Sequence, residues 1–400
     1  MPRRTPISSL PLPGGMAGHE QSEMNCGQIV ADMDSTLESL GAAEQKPRLD
    51  PVGRAQAVQQ VDPRLVSVVI QGPLYRQLAP GCGIVACIAS IHRHLPGAEV
   101  IVSTWHDEDI AGLDVDRVVL SDDPGSMRDY SGNVLNTNRQ LVSTLAGIEA
   151  STRPYVMKFR SDHCLTSSTL ASIGNYDRTP DHGRLFSAPI TVTNLFIRNP
   201  ARCPMLWHMS DLCQFGRRED MLVFWKHPIF KHEELFNPVP KWSPFGNYLG
   251  YSAMKMNPEQ SYMIGVLRRH GLDVHLSHPC EITAAALDLW ESVLCSDFRV
   301  LEWKAAGVNY PERFMNTGFS LRTIYSVKDI AAVAMLSPAG RRGRRLRVWV
   351  NQYLLGCLTP TWWISFASLV LFALSPTLAK RARGIWRRVR RIQHPSPEKA

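Results

Sequence analysis

The sequence predicts an α/β protein with a mostly parallel sheet flanked by helices, and three observations support this fold class. Four strand-like runs alternate with helical segments between residues 65 and 159. These runs are nearly continuous in apolar residues, as in strands that are covered on both faces. The chain has 400 residues, of which 44% are hydrophobic and 20% are charged, and this composition is typical of a globular protein with a sizeable core.

The first half of the predicted sheet begins at residues 65–70, a run rich in Val and Ile that Gln71-Gly72-Pro73 closes. A helix is predicted over 83–94, because apolar residues recur there on one face. The second strand covers 99–104 and the third covers 117–120.

The second half of the pattern starts with a helix from about residue 138, whose apolar stripe is Leu141, Leu145 and Ile148. The fourth strand, 155–159, follows it and leads into Asp162. The order strand, helix, strand, strand, helix, strand is typical of α/β folds.

The charge of the chain is unevenly distributed. The net charge is +8, but the segment 338–400 contains 13 Lys and Arg residues and one acid, so that segment carries +12 and the rest carries −4. A mildly acidic body gives no indication of a nucleic-acid partner.

The C-terminal segment 338–400 is predicted to be a helical, membrane-associated tail. Residues 353–379 are mostly apolar but are interrupted by prolines, which leaves open whether they span a membrane or lie on it. Residues 379–392 place Ile385, Val389 and Ile392 on one stripe among arginines. Such a helix is typical of binding to an anionic membrane surface.

The N-terminal segment 1–62 is rich in Pro, Gly, Ser and Gln and is predicted to be a flexible lead-in. The nine cysteines are scattered and form no C-x-x-C pair. A large chain with an odd number of single cysteines favours reduced thiols and a cytoplasmic location.

The chemically most informative residues are Arg160-Ser161-Asp162, directly after the fourth strand. Ligands of open parallel sheets bind outside the carboxyl ends of the strands. An aspartate there can hold a divalent cation, Mn²⁺ or Mg²⁺, on the phosphates of a nucleotide. The alternative is a surface aspartate that caps a turn.

Several sequence blocks resemble the WavE lipopolysaccharide-synthesis family over roughly residues 66–265. The blocks are 66–75, 96–105, 120–125, 138–147, 158–162, 208–211, 215–216 and 258–260. The resemblance implies a glycosyltransferase-like domain of GT-A type over 63–335. Its nucleotide-binding half would be 63–165 and its acceptor half 166–335.

The resemblance also implies site residues. Asp162 would take the place of the metal-binding carboxylate in an Asp-x-Asp motif, whereas Arg160 stands at the first acidic position and can itself bind phosphate. The expected donor-binding residues follow the strand ends and the next helix start: Gln71, Gly72, Pro73, Trp105, Asp107, Asp122, Asp123, Asn138, Arg139, Arg160 and Asp162. Each acid in this set is alternatively an ordinary solvated residue.

A catalytic base must accept the proton of the acceptor hydroxyl. Asp211, which follows His208 in an aromatic-rich segment, is the leading candidate, with Asp220 and Glu259 behind it.

The combined hypothesis is a glycosyltransferase at the cytoplasmic face of the cell membrane that uses a nucleotide-sugar donor and a glycan or lipid-linked acceptor. Two alternatives remain. A sugar nucleotidyltransferase usually has a Gly-rich basic loop after its first strand, and Gln71-Gly72-Pro73 is a poor match to one. A non-catalytic, membrane-tethered binding protein is favoured by Arg160 in place of an acid.

Overall fold

The computed structural model describes residues 59–76, 83–128, 134–176, 179–238, 253–315, 321–358 and 360–393. The predicted lead-in therefore lies outside the described residues, except for its last four positions. Two of these, Gln59 and Gln60, form a short strand that pairs antiparallel with Ser172–Ile173.

The described residues form short and long elements in the following order. The strands are β1 (Gln59–Gln60), β2 (Val66–Gln71), β3 (Glu99–Trp105), β4 (Arg117–Ser121), β5 (Met127–Arg128), β6 (Val134–Leu135), β7 (Tyr155–Arg160), β8 (Cys164–Leu165), β9 (Ser172–Ile173), β10 (Ile190–Thr193), β11 (Gln214–Arg217), β12 (Phe298–Leu301) and β13 (Val308–Asn309). The helices are α1 (Ile84–His94), α2 (Thr137–Ala150), α3 (Arg218–Trp225), α4 (His232–Leu235), α5 (Pro258–Arg269), α6 (Ala284–Ser296), α7 (Glu312–Met315), α8 (Val327–Ala334), α9 (Pro338–Trp349), α10 (Pro360–Leu374) and α11 (Pro376–Gln393).

Seven strands form the central sheet in the order β12-β10-β11-β7-β2-β3-β4. All neighbouring pairs are parallel except those of β11, which runs antiparallel to both β7 and β10. The prediction of a mostly parallel sheet in an α/β fold is confirmed. Strands from both predicted halves contribute to this one sheet, so the halves share a single framework.

The sheet is covered on both faces, as its apolar strands require. Every residue of β2 and β3 is buried. Helix α1 covers one face through Ile84, Ile88 and Ile91, and α2 covers the other. Helix α2 lies so close that a Cβ at Gly147 would come within 2.2 Å of the Val69 side chain, so only glycine fits there.

The strand order reverses at β2. The chain adds β3 and β4 on one side of β2 and then returns to place β7 on the other side. Connections that leave in opposite directions open a crevice at the carboxyl ends of the two central strands. In the register of β2 and β7, Gln71 is opposite Arg160, so both residues border this crevice.

The start of the predicted tail packs on the body. Arg344 of α9 donates to Glu291 of α6 at 3.0 Å and to Asn199 at 2.9 Å, and Tyr325 also donates to Glu291 at 2.8 Å. Two of the tail's cations, Arg344 and Arg345, therefore pair with acids of α6. In the described parts of the chain, no helix combines the length and apolarity needed to cross a membrane.

Candidate active site

The ends of β2, β3 and β7 are tied together by hydrogen bonds around Gly72-Pro73. The Gly72 amide donates to the Ser103 carbonyl at 3.1 Å, and the Thr104 hydroxyl donates to the Gly72 carbonyl at 2.9 Å. Ser161 donates to the Pro73 carbonyl at 2.6 Å. Gly72 has φ +90°, a conformation that side chains of L-residues rarely adopt. The ends of the three strands thus meet at this glycine, and we call this region the rim of the crevice.

Asp162 lies in this rim with its side chain completely buried. Arg160 donates to its two carboxylate oxygens at 3.0 and 3.1 Å, His163 Nδ1 lies 2.6 Å from Oδ1, and Arg313 of α7 donates to Oδ2. Burial alone would raise the pKa of Asp162. The hydrogen bond of His163, and the hydrogen bonds and charge of Arg160, outweigh burial and hold that pKa well below its ordinary value.

Aromatic rings hold the two guanidinium groups in place. The guanidinium carbons of Arg160 and Arg313 lie 5.5 and 5.3 Å from the centroid of the Phe314 ring. Arg313 also lies 5.1 Å from the ring of Tyr75, in the segment that follows β2. Both arginine side chains remain partly exposed, by 23% and 31%. We call Arg160, Asp162 and Arg313 the arginine–aspartate cluster.

The arginine–aspartate cluster does not fit the divalent cation predicted at Asp162. Both oxygens of its carboxylate already accept from cationic or ring donors, and a metal ion would have to sit among positive charges. Nowhere in the described ranges do three His, Cys, Asp or Glu side chains gather to hold a metal ion. The surroundings of Asp162 therefore do not suit the predicted role of metal ligand, because the tertiary structure supplies Arg313 as a second cation.

A pair of acids, Asp211 and Glu259, lies close to this cluster. Gln140 of α2 donates to Asp211 Oδ2 at 2.5 Å, and the buried ammonium of Lys158 donates to the Asp211 carbonyl. Glu259 is the second residue of α5, and its side chain is 23% exposed. Burial, and next the charge of Asp211, raise the pKa of Glu259 to about 7.

His208 lies beside the acid pair, with Nε2 3.9 Å from Glu259 Oε2. Burial, and then the charge of Arg198, lower the pKa of His208 well below its ordinary value, so this imidazole is neutral at pH 7. The residue before it, Trp207, has φ +62°, and Phe196 has φ +72°. Positive φ at such bulky residues is strained and is a feature of functional sites.

Lys158 connects the acid pair with the arginine–aspartate cluster. It lies fully buried on β7, 5.1 Å from the centroid of the Trp225 ring. Burial lowers its pKa to about 8, whereas the charges of Asp211 and Asp162 act to raise it. Lys158 therefore interacts electrostatically with Asp211 of the acid pair and with Arg160 and Asp162 of the cluster.

Three contributors to the site were missed in the sequence: Lys158, Gln140 and Arg313. A lysine inside the apolar run of β7 is a detectable signal, because an unpaired lysine is rarely buried. Gln140 and Arg313 carry no comparable signal, since a helical glutamine and an arginine in a short helix are ordinary on any surface.

The remaining predicted donor-binding residues are divided between two settings. Asp107 and Asp122 are exposed beyond the ends of β3 and β4, and Trp105, at the end of β3, is buried. Arg139 donates to Asp123 through two nitrogens, at 2.8 Å for Nε, so these two residues neutralise each other.

Two more of the predicted site residues, Asn138 and Asp220, are buried and hydrogen-bonded to the backbone. The amide of Asn138 is buried and exchanges two hydrogen bonds of 2.9 Å with the backbone of Phe230, so it joins the start of α2 to that segment. Asp220 is also buried, and it accepts from the Ser187 amide at 2.6 Å, the Ser187 hydroxyl at 2.8 Å and the Ala188 amide at 3.1 Å. Since β11 runs antiparallel to β7 and leads into α3, Asp220 lies near the amino end of β7, whereas Asp162 follows its carboxyl end.

Comparison with known proteins decides the family. A family model described as WavE lipopolysaccharide synthesis matches residues 66–389. The chain belongs to the WavE lipopolysaccharide synthesis family. The match confirms the resemblance found in the sequence and extends it from residue 265 to residue 389, within α11. As a WavE protein, the chain is assigned to glycosyltransferase-type enzymes.

Other comparisons add little to the WavE assignment. No curated protein matches the chain significantly. Among similar solved structures is a mutant of the Drosophila beta-1,4-galactosyltransferase 7 in complex with manganese, UDP-Gal and xylobiose. It is 9% identical, and the alignment covers 66% of this chain and 79% of that one with a TM-score of 0.23. A score this low does not establish a shared fold.

Proposed function

We propose that this WavE protein transfers a sugar from a nucleotide-sugar donor to a lipopolysaccharide or other surface-glycan acceptor. The observation that carries the proposal is the position of Glu259. A partly exposed carboxyl with a pKa of about 7 lies next to a second, buried acid, Asp211, and the charge of Asp211 also acts on Arg160 at the strand switch point. A base poised near the working pH is suited to proton abstraction.

The donor is proposed to lie along the carboxyl ends of β2, β3 and β4, as in a GT-A-type site. A nucleoside bound there would contact the backbone of Gly72, which bears no side chain, and the exposed acids Asp107 and Asp122. The sugar phosphates would point toward Arg160. This arrangement follows the rule that ligands bind where the strand order reverses.

Glu259 is proposed as the general base, in place of Asp211. In a direct displacement it accepts the proton of the acceptor hydroxyl as that oxygen bonds to the anomeric carbon, while the bond from that carbon to the phosphate oxygen breaks. Asp211 lies deeper, accepts from Gln140 and raises the pKa of Glu259, so we assign it a positioning role.

The acceptor is proposed to be lipid-linked, and the tail to lie on anionic lipid at the cytoplasmic face of the membrane. The tail exposes large apolar side chains along α9, the segment 350–358 that follows it, α10 and α11. They are Leu346, Trp349, Tyr353, Leu354, Leu355, Leu358, Trp363, Phe366, Val370, Leu374, Leu378 and Ile385. Exposed apolar residues flanked by arginines favour burial in the headgroup region of an anionic bilayer.

Turnover of a panel of nucleotide sugars by the full chain, with membrane lipids supplied as acceptors, tests the function. We expect sugar transfer that Glu259→Gln lowers and Glu219→Gln leaves unchanged. Donor binding without turnover of any donor would support the non-catalytic alternative. Formation of a nucleotide sugar from a nucleoside triphosphate and a sugar phosphate would instead identify a nucleotidyltransferase.

A further inference from the structure

We propose that Arg160 and Arg313 bind the diphosphate of the donor directly, so that two guanidinium groups do the work of a divalent cation. This inference rests on the proposed function and specifies how its donor is held. It starts from the disagreement between the predicted metal ligand, Asp162, and the cations that surround it.

The geometry of the pair suits a diphosphate. Both guanidinium groups converge on one buried carboxylate, Asp162, and each keeps part of its surface open to solvent. Guanidinium groups bind phosphate through two parallel hydrogen bonds, which fixes orientation as well as charge. Because Arg160 and Arg313 donate to the same carboxylate, their guanidinium groups lie side by side and can engage both phosphates of one donor.

Two of the three charged side chains of the arginine–aspartate cluster are cations. Arg160 and Arg313 contribute two positive charges and Asp162 one negative charge. His163 adds none near pH 7, because burial lowers its pKa more than Asp162 raises it. An anion that enters the crevice therefore meets two guanidinium groups without the help of a metal ion.

The cluster is preorganised for this task. Asp162 accepts hydrogen bonds from both arginines, and the rings of Phe314 and Tyr75 pack against the guanidinium groups. Arginines that are already held in place lose little side-chain freedom on binding. Asp162 is thus a positioning residue, and it keeps its carboxylate away from the negatively charged donor.

Calorimetric titration of the full chain with inorganic pyrophosphate tests the proposal, once in EDTA and once with Mg²⁺ or Mn²⁺. We expect pyrophosphate to bind in EDTA, because the arginines and not a metal ion hold it. Arg313→Gln should weaken binding roughly 10- to 100-fold in both conditions, since a hydrogen bond to a charged group is lost. The pyrophosphate affinity of Arg313→Lys should lie between those of wild type and Arg313→Gln, because lysine keeps the positive charge but cannot donate two parallel hydrogen bonds.

Arg117→Gln is the matched control, because Arg117 is an exposed arginine at the amino end of β4, away from the crevice. Thermal unfolding verifies that each variant is folded, and Arg160→Gln replaces Arg313→Gln if the latter is not. Binding that occurs only with metal, or Arg313 variants that bind as tightly as wild type, would overturn the proposal.

The two proposals fail separately. Sugar transfer that requires a divalent cation would retain the proposed function and reject the direct arginine contact. Metal-independent pyrophosphate binding in a protein that turns over no donor would do the reverse.

Discussion

Arg160 donates hydrogen bonds of 3.0 and 3.1 Å to the carboxylate of Asp162, two residues further along the chain. The two residues leave β7 at the strand switch point, where the Asp-x-Asp motif implied by the family resemblance would have two acids. A cation at the first position converts the second acid into its partner. At the carboxyl end of β7, the crevice is therefore lined by arginines that are paired with a carboxylate.

The first prediction concerns the stability that Asp162 provides. Asp162→Asn should lower the free energy of unfolding by about 3–5 kcal/mol at pH 7, since a buried anion that neutralises two arginines is lost. The pKa of Asp162 is lowered, so this contribution is complete above about pH 4 and is lost as the pH falls. Urea unfolding at pH 7 and at low pH measures both effects.

Asp122→Asn is the control, because Asp122 is fully exposed, and it should change stability by less than about 0.5 kcal/mol. An Asp162→Asn protein as stable as wild type, with activity that depends on added Mn²⁺, would support a metal ligand instead.

The second prediction concerns the proposed base. Glu259→Gln should lower kcat by roughly 10²- to 10⁴-fold, the usual contribution of a general base. In the wild type, the rate should rise with pH through about 7, because the carboxylate is the active form. Glu219→Gln is a close control, since Glu219 is likewise the second residue of a helix but is exposed at the other sheet edge.

Glu259 also gives a stability prediction, in which loss of its carboxylate stabilises the protein at high pH. Burial raises the pKa of Glu259, so the folded state holds a proton that the unfolded state releases, and stability is lost as the pH rises from about 4.5 to about 7. Glu259→Gln should therefore be more stable than wild type at pH 8, by about 1–3 kcal/mol. A variant that is both inactive and less stable at pH 8 would indicate a structural role.

The third prediction concerns Lys158. Its lowered pKa, about 8, means that the folded state releases a proton more readily than the unfolded state. The stability of wild type relative to Lys158→Met should therefore rise by about 2–3 kcal/mol between pH 7 and pH 10.5. Unfolding curves at both pH values test this, and the exposed Lys226→Met should show no such change.

The fourth prediction concerns the packing of the tail on the body. Arg344→Gln leaves the buried carboxylate of Glu291 without its cation and should destabilise the protein by about 3–5 kcal/mol. Arg347→Gln, one turn away on an exposed position of α9, should cost less than about 0.5 kcal/mol. Equal effects of the two variants in thermal unfolding would contradict the role of this buried ion pair.

The fifth prediction concerns the membrane surface. The double variant Leu374→Gln and Ile385→Gln removes exposed apolar area from α10 and α11 and should weaken binding to phosphatidylglycerol vesicles by roughly tenfold or more. The control pair, Leu65→Gln and Val85→Gln, changes exposed apolar residues of the body. Flotation that is the same for both pairs would argue against a role of the tail in lipid binding.

The sheet was predictable because its strands depend on local composition. The four predicted strands match β2, β3, β4 and β7 within about one residue, since apolar β-branched runs between turn residues specify strands by themselves. The alternation with helices then predicted a mostly parallel order. The strand β11 was not predicted, because Gln214–Arg217 is short and its burial comes from its neighbours.

The sequence by itself determined the α/β class, the family and the position of Asp162 at the end of a central strand. Only the tertiary structure decided what that carboxylate does, because Arg313 comes from a helix about 150 residues away along the chain and removes the room for a metal ion. Likewise, burial beside Asp211 raises the pKa of Glu259, whereas Asp220 is used up by backbone amides. Charge and hydrogen bonding act through space, so residues with similar chemistry acquire different roles once folding sets their neighbours.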